Sequence, residues 1–175
     1  KFKNALYLGR IMPAKGIKEL VEVWNELSIK NWTLNIVGII EDINFYNEMI
    51  KLSKNDTSEK KIKFLGPVYG KDKEKIFNST NLFISLTKTE NFGITILEAM
   101  SHKIPIITTK DAPWEIIEKE SLGWWVKNTK PEVKKAILEA TNLSSIKLNK
   151  IGERSYEIAK NIYSWDKIIE KYIEE

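Results

Sequence analysis

The chain has 175 residues, a length that suits one domain with a core of its own; 30% of them are charged, and the formal net charge is +4. The lack of cysteine excludes disulfides, thiolate nucleophiles and zinc–thiolate centres, and the single histidine, His102, argues against a histidine metal cluster or a Ser-His-Asp triad. No apolar run approaches the roughly 20 residues of a membrane span, and no signal-peptide pattern is visible.

Short apolar runs that suit strands alternate with helical patterns as far as residue 126. Strands are predicted over residues 4–8, 32–38, 62–65, 82–84, 104–109 and 123–126. The first predicted helix has an inward face made of Leu20, Val21, Trp24 and Leu27. Further helices are predicted over residues 45–52, from an N-cap at Asp72 to about Ser79, over 94–101, and over 112–119 with Pro113 in the first turn. The polar segment 53–61 is predicted as a solvated loop.

From residue 131 onwards only helical patterns remain, over residues 131–142, 146–162 and 165–173, the last with Ser164 as its N-cap. The chain is therefore predicted to be a single α/β domain, residues 1–175, with an open parallel Rossmann-like sheet of about six strands, helices on both faces and a helical C-terminal tail. Because a strand-like run begins at residue 4, we expect an N-terminal part of a longer protein to have been removed.

The segment 89–109 gives the strongest indication of a binding site. A buried strand leads into the turn Glu90-Asn91-Phe92-Gly93, and a helix is predicted to begin at Ile94. The first amide groups of a helix lack carbonyl partners within it, and the helix dipole favours negative charge at the same end. We therefore expect an anionic ligand there, at the carboxyl ends of the strands.

Charged residues near other strand ends extend this site. Arg10 follows the first strand and Lys15 precedes the first helix; a planar guanidinium and an ammonium together suit a diphosphate. Glu98 lies just over one turn into its helix, and because helical side chains lean toward the N-terminus it can reach the crevice that Glu90 faces. Its apolar neighbours predict a carboxylate that needs a partner, and such an acceptor suits two ribose hydroxyls. The pattern describes a nucleotide-diphosphate site.

Each of these residues also has a purely structural interpretation. Arg10 and Lys15, taken singly, are compatible with surface cations. Glu98 is compatible with a simple lysine pair and Gly93 with a simple turn, and neither G-x-G-x-x-G nor a P-loop pattern occurs. His102 is predicted to lie on the surface without a role. The dispersed lysines indicate either a solvated surface or a mild attraction to anionic ligands and membranes, and they form no nucleic-acid-binding stripe.

A resemblance to a known family adds to this interpretation. The order GR-x4-KG, a strand ending in VG, FLGPV, ENFGITILEAM with its E-x7-E spacing, and IPIITT resembles the C-terminal, donor-binding half of GT-B glycosyltransferases of family 4, glycosyl transferases group 1. The closing YSWDKIIEKY resembles the end of that domain, so the resemblance covers essentially the whole chain. Ala112-Pro113-Trp114 and Gly123-Trp124 resemble a branch of the family found in bacterial surface-polysaccharide assembly.

The resemblance implies that Arg10 and Lys15 bind the donor diphosphate and, with Glu90, are the catalytic residues. Glu90 would contact the sugar hydroxyls and Glu98 the ribose, while backbone near Ile39 and Val68 would flank the base. The full set of implied substrate-binding residues is Gly9, Arg10, Lys15, Ile39, Val68, Glu90, Asn91, Phe92, Gly93, Ile94, Thr95 and Glu98.

The implied reaction is sugar transfer from a UDP- or GDP-sugar to a saccharide or lipid-linked acceptor, with retention at the anomeric carbon and without a cofactor or an essential metal. Stabilisation of the departing diphosphate would be the main catalytic contribution of this half. The acceptor would bind the absent N-terminal half, so this domain alone would bind a nucleotide and transfer nothing. The family's usual setting implies the cytoplasm, including its membrane face, where the whole protein would associate peripherally.

Two other functions stay open at this point. A nucleotide-sugar epimerase shares the GT-B arrangement but would need further acid/base groups, which a chain with one histidine does not display. A non-catalytic nucleotide- or anion-binding module would keep the pocket without turnover.

The chain departs from the family pattern in two places. His102-Lys103 stands where a small residue and glycine are usual, so that helix end cannot rely on a glycine C-cap. Asp111-Ala112-Pro113-Trp114 stands where a Gly-Gly pair often lies near the sugar.

Overall fold

The computed structural model describes residues 2–27, 29–54 and 60–163, and these form a six-stranded parallel sheet surrounded by helices. The strands are β1 (Lys3–Leu8), β2 (Trp32–Val37), β3 (Lys60–Gly66), β4 (Leu82–Ser85), β5 (Ile106–Thr109) and β6 (Gly123–Val126). The helices are α1 (Ile17–Glu26), α2 (Ile43–Ser53), α3 (Gly70–Asn78), α4 (Ile94–Ser101), α5 (Ile116–Lys119), α6 (Lys130–Asn142) and α7 (Ser145–Tyr163). A short 3-10 turn, Pro13–Lys15, precedes α1.

The strand order is β3-β2-β1-β4-β5-β6, so the order reverses between β1 and β4. Successive residues of β1 face opposite sides of the sheet. Ala5 and Tyr7 belong to the apolar core that α1 and α6 cover, whereas Leu6 and Leu8 belong to the core that α4 and α7 cover. Helices therefore lie on both faces, and the predicted Rossmann-like α/β fold is confirmed.

Several predicted boundaries are wrong for identifiable reasons. Helix α3 begins at Gly70 after Tyr69, so Asp72 is not its N-cap; it lies in the first turn and pairs with Lys75 at 2.8 Å. Helix α2 begins earlier than predicted because Asp42 caps it, accepting a hydrogen bond from the Phe45 amide at 2.9 Å. Residues 60 and 61, predicted as loop, belong to β3.

The segment around β5 also differs from the prediction. The strand begins at Ile106 and not at residue 104, since Pro105 has no N–H to donate to a neighbouring strand. The helix predicted over residues 112–119 is reduced to α5, because residues 112–114 form a turn in which the Trp114 amide donates to the Ala112 carbonyl at 2.8 Å. The predicted helix over 165–173 and its N-cap Ser164 lie outside the described residues.

The C-terminal end of α4 is closed without glycine. Lys103 adopts a left-handed conformation with φ of 59°. The amide groups of Lys103 and Ile104 donate to the carbonyls of Met100 and Ala99, a Schellman motif with lysine at the position that glycine usually occupies. His102, predicted to lie on the surface, is half-buried, and its ring stacks on Phe77, with centroids 4.6 Å apart.

Across residues 2–27, 29–54 and 60–163, no helix is both long enough and apolar enough to cross a bilayer.

Candidate functional site

A cleft opens at the carboxyl ends of β1 and β4, where the strand order reverses and open α/β sheets bind ligands. It consists of two adjoining cavities of about 390 and 380 Å³. The first lies over β1, β4 and the start of α4, and the second lies toward β2 and α3. Both cavities share the lining residues Leu8, Gly9, Arg10 and Thr95.

The floor beneath Arg10 is fixed by a tyrosine. The hydroxyl of Tyr7, which is 2% exposed, donates to the Arg10 carbonyl at 2.8 Å. The Arg10 guanidinium extends toward the next strand, where its Nη1 lies 3.1 Å from Oε1 of Glu41. Burial raises the pKa of the Tyr7 hydroxyl, the negative charge of Glu90 raises it further, and Arg10 opposes both.

Lys15 reaches the cleft from the 3-10 turn. Gly16, directly after it, has φ of +69°, and a Cβ atom there would lie 1.9 Å from the Leu86 carbonyl oxygen. Only glycine permits both this conformation and this close approach. The Lys88 amide donates to the Ala14 carbonyl at 3.1 Å, so the loop after β1 and the loop after β4 are held together.

This contact between the two loops brings two predicted catalytic residues together. Nζ of Lys15 lies 2.9 Å from Oε2 of Glu90, and both side chains are largely buried. A cation from the first loop and a carboxylate from the second thus face the same cavity.

The loop over residues 86–93 is itself held by hydroxyl groups. Thr109 at the end of β5 donates to the Thr87 carbonyl at 2.6 Å, and the Thr87 hydroxyl donates to the Thr89 carbonyl at 2.7 Å. Gly93 ends the loop with φ of 80° and is the N-cap of α4. The first turn of α4 therefore presents its amide groups at the cleft, as an anion site requires.

Glu98 lies one turn further along α4. Its Oε1 is 2.5 Å from Nζ of Lys73 on α3, so the predicted partner exists. Its Oε2 is buried and has no hydrogen-bond partner within the described residues. A carboxylate with one unpaired oxygen is costly unless another group supplies the hydrogen bond.

The second cavity is more apolar. Ile39 and Val68 line it, together with Tyr69, whose side chain is prominently exposed. The Ile39 carbonyl accepts a hydrogen bond from the Ile11 amide at 2.8 Å, which ties this part of the lining to the loop after β1.

The structure brings the predicted site residues together, with one difference. All of them line one of the two cavities except Glu98, which contacts Lys73, a residue that lines the second cavity. The sequence analysis missed Tyr7, Lys73 and Tyr69. An isolated tyrosine in an aliphatic strand is a signal that could have identified Tyr7, whereas nothing distinguishes Lys73 from the many other lysines.

In the part of the chain that the structure describes, no three His, Asp or Glu side chains come together in a group that could hold a metal ion.

The chain is similar to several known proteins. A probable sucrose-phosphate synthase from Thermosipho melanesiensis is 28% identical over 172 residues, which are 94% of this chain and 38% of that protein. Staphylococcus aureus TarM, solved with UDP, fondaparinux and α-GlcNAc-glycerol, has the same fold, with a TM-score of 0.81 and 22% identity over 99% of this chain and 36% of TarM.

The C-terminal domain of a glycosyl transferase group 1 family protein, LpcC from Francisella tularensis, superposes with a TM-score of 0.77 and 21% identity, covering 94% of this chain and 87% of that domain. The chain spans less than half the length of the first curated relatives that it matches. The family model for glycosyl transferases group 1 matches residues 1–158. The chain therefore belongs to the glycosyl transferases group 1 and has the fold of the C-terminal domain of a GT-B enzyme.

Proposed function

We propose that this domain binds the nucleotide-sugar donor of a retaining glycosyltransferase, which transfers a sugar from a UDP- or GDP-sugar to a saccharide or lipid-linked acceptor. One observation carries the proposal: Arg10, Lys15 and the N-terminus of α4 converge on a single cleft that also contains Glu90. Family membership supports the reaction class. UDP in the complex of TarM supports a nucleoside diphosphate as the leaving group.

The cations suit the diphosphate. When the bond between the anomeric carbon and the phosphate oxygen breaks, the electron pair and the new negative charge remain on the diphosphate. Arg10 and Lys15, with the amide groups of Ile94 and Thr95 at the start of α4, would stabilise that charge. Because these groups supply the compensating charge, the proposed mechanism uses neither a metal ion nor another cofactor.

Glu90 suits the sugar. Its carboxylate lies beside Lys15 on the same cavity wall as Asn91, Phe92 and Gly93. Sugar hydroxyls would donate to Glu90, and backbone amide groups of this segment would donate to the sugar and the phosphate. Lys15 would then lie between the carboxylate and the diphosphate and would attract both.

Glu98 suits the ribose. Its second oxygen lacks a partner within the described residues, and a ribose hydroxyl would supply the missing hydrogen bond. Because this oxygen is buried, a rotation about the last torsion of the side chain, which has a broad energy minimum, would accompany ribose binding. The base would lie in the more apolar cavity, against Ile39 and Val68.

The wider setting is proposed from the family resemblance. The segments Ala112-Pro113-Trp114 and Gly123-Trp124 favour a role in bacterial surface polysaccharide or lipopolysaccharide assembly. A lipid-linked acceptor would place the whole protein in the cytoplasm at the membrane face, with the acceptor bound by a further domain. The domain alone would bind donor and transfer nothing.

Calorimetry tests the proposal. UDP, GDP and their sugars are titrated into the 175-residue chain, into Glu98→Ala and into the matched control Glu153→Ala, an exposed carboxylate on α7. We expect one nucleotide class to bind the wild type and the control equally, and Glu98→Ala to bind it at least tenfold more weakly, as expected for loss of a hydrogen bond to a charged group. Failure of every nucleotide to bind, or equal binding by Glu98→Ala, would contradict the assignment.

Assays on the whole protein address the reaction. We expect transfer of the sugar with its anomeric configuration retained, measured by NMR of the product, at a rate that EDTA leaves unchanged. An epimerised nucleotide sugar without transfer would favour the epimerase, and binding without turnover would favour a non-catalytic module.

A further inference from the structure

Trp114 lies directly beneath the loop over residues 86–93. It is 1% exposed, and its indole Nε1–H donates to the Phe92 carbonyl. The ring also packs against the rings of Phe92 and Tyr163, with centroids 5.4 Å away in each case. Neither the donor-site residues proposed above nor the family resemblance assigns a role to this tryptophan.

The turn after β5 holds Trp114 in this position. The Ala112 amide donates to the Thr109 carbonyl at 3.0 Å, and the Trp125 indole donates to the Ala112 carbonyl at 3.0 Å. On the other side, the Ile117 amide donates to the Trp114 carbonyl at 2.9 Å. The indole is thus attached to the sheet through β5 and β6, and through it the sheet contacts the loop that bears Glu90.

The hydrogen bond sets the direction of one peptide group in the cleft. In a planar trans peptide, the C=O and the N–H point in opposite directions. Because the Phe92 carbonyl points down to Trp114, the N–H of Gly93 points away from the indole, and Gly93 lines the cleft. The same peptide group enters α4, whose first amide groups are the proposed anion site.

Trp114 also lies close to the proposed sugar-binding carboxylate. A Cβ atom on Gly93 would lie 3.3 Å from Nε1 of Trp114 and 3.2 Å from Cγ of Glu90. The indole and Glu90 therefore both pack close to Gly93. A change in the indole would therefore move the part of the loop that is proposed to face the sugar. Arg10 and Ile39 lie on other elements. The Tyr7 hydroxyl holds the Arg10 carbonyl, and the Ile11 amide holds the Ile39 carbonyl.

We propose that Trp114 is a positioning residue for the donor sugar: it fixes the Phe92–Gly93 peptide and Glu90 against the sugar, without contacting the donor itself. This inference rests on the proposed function. It predicts that loss of the indole lowers the affinity for the sugar part of the donor and changes the affinity for the nucleotide part little.

The test compares Trp114→Phe with Trp32→Phe in the 175-residue chain. Trp32 is a matched control, because it is a buried indole that donates to a backbone carbonyl, that of Thr141 at 3.3 Å, at the opposite end of the sheet. Affinities are measured for UDP and GDP and for UDP-glucose, UDP-N-acetylglucosamine and GDP-mannose. We expect Trp114→Phe to lower the affinity for the bound nucleotide sugar relative to its nucleoside diphosphate about five- to tenfold, and Trp32→Phe to leave that ratio unchanged.

If Trp114 had a purely structural role, its replacement would weaken the binding of nucleotide sugar and nucleoside diphosphate equally. An unchanged ratio of these two affinities in a folded Trp114→Phe variant therefore overturns the inference. If that variant does not fold, the test uses the NMR signal of the Trp114 indole N–H in the wild type, which is assigned through its contacts with the Phe92 ring. The change in its chemical shift on ligand binding is measured. We expect the signal to shift more with the nucleotide sugar than with the diphosphate; equal shifts overturn the inference. If the wild type binds none of these ligands, both the proposed function and the inference fail.

Discussion

Nζ of Lys15 lies 2.9 Å from Oε2 of Glu90, so that a cation after β1 and a carboxylate after β4 meet in the lining of the cleft. Their side chains are only 18% and 23% exposed, which limits screening by solvent. A diphosphate that enters the cleft would find a cation already held in place by its partner.

Replacement of Lys15 by alanine should therefore weaken nucleotide binding strongly. A hydrogen bond to a charged group is worth about 1.5–3 kcal/mol, or roughly 10- to 150-fold in affinity. The matched control is Lys18→Ala, since Lys18 on α1 forms an exposed pair with Glu48 at 2.6 Å. Calorimetry with UDP and GDP should show the loss for Lys15→Ala alone; an equal loss in both variants would mean that overall charge, and not this site, determines binding.

Glu41 is expected to compete with the ligand for Arg10. The guanidinium is paired with this carboxylate at 3.1 Å, and both side chains are substantially exposed. Exposed pairs are worth about 0.2–1 kcal/mol, so Glu41→Gln should raise nucleotide affinity up to about fivefold. Glu48→Gln, which breaks the exposed pair with Lys18, should leave the affinity unchanged. Weaker binding by Glu41→Gln would show instead that Glu41 holds Arg10 in its binding orientation.

The parts of the site that could be predicted are those defined by short stretches of sequence. The turn Glu90–Gly93 followed by a helix, and Arg10 at the end of a strand, are local patterns, and the parallel sheet places them together. The roles of Trp114 and Lys73 depend on contacts 22 and 25 residues away along the chain, which no local pattern encodes.

The errors in secondary structure have a related cause. Asp72 has the sequence features of an N-cap, but the chain already enters the helix at Gly70, directly after Tyr69. His102 is polar and follows a helix, yet the packing of α4 against α3 stacks its ring on Phe77. For His102, a tertiary contact therefore decides against the local preference.

Tyr7 should make stability depend on pH in the alkaline range. Its pKa in the folded protein is raised, mainly by burial, above the value of about 10 expected in the unfolded chain. Above pH 10 the unfolded chain therefore loses a proton that the folded protein keeps, and stability falls as the pH rises. The stability of Tyr7→Phe does not have this contribution to its pH dependence. The variant also loses the hydrogen bond to the Arg10 carbonyl, which is worth about 1 kcal/mol.

Urea denaturation between pH 8 and pH 11 measures the effect. The variant should be less stable than the wild type at pH 8, and the difference should shrink as the pH rises above 10. Parallel curves would contradict the raised pKa of Tyr7, because the other tyrosines and the lysines are common to both proteins.

Lys103 should carry a conformational cost that glycine would remove. It holds a left-handed conformation, with φ of 59°, at the end of α4, where a side chain costs about 1–2 kcal/mol. Its ammonium also lies 5.3 Å from the centroid of the Tyr156 ring, and this contact is lost in both Lys103→Gly and Lys103→Ala. The difference in stability between the two variants therefore reports the cost of the left-handed backbone conformation alone. Lys103→Gly should be the more stable by about 1 kcal/mol.

Lys150 provides the control, since it is exposed in the middle of α7. There the order should reverse, with Lys150→Ala more stable than Lys150→Gly by about 1 kcal/mol, because glycine is unfavourable inside a helix. Free energies of unfolding from urea denaturation give both differences. If alanine were the more stable residue at both positions, the chain after α4 would not need a left-handed residue, and the Schellman motif with lysine would be contradicted.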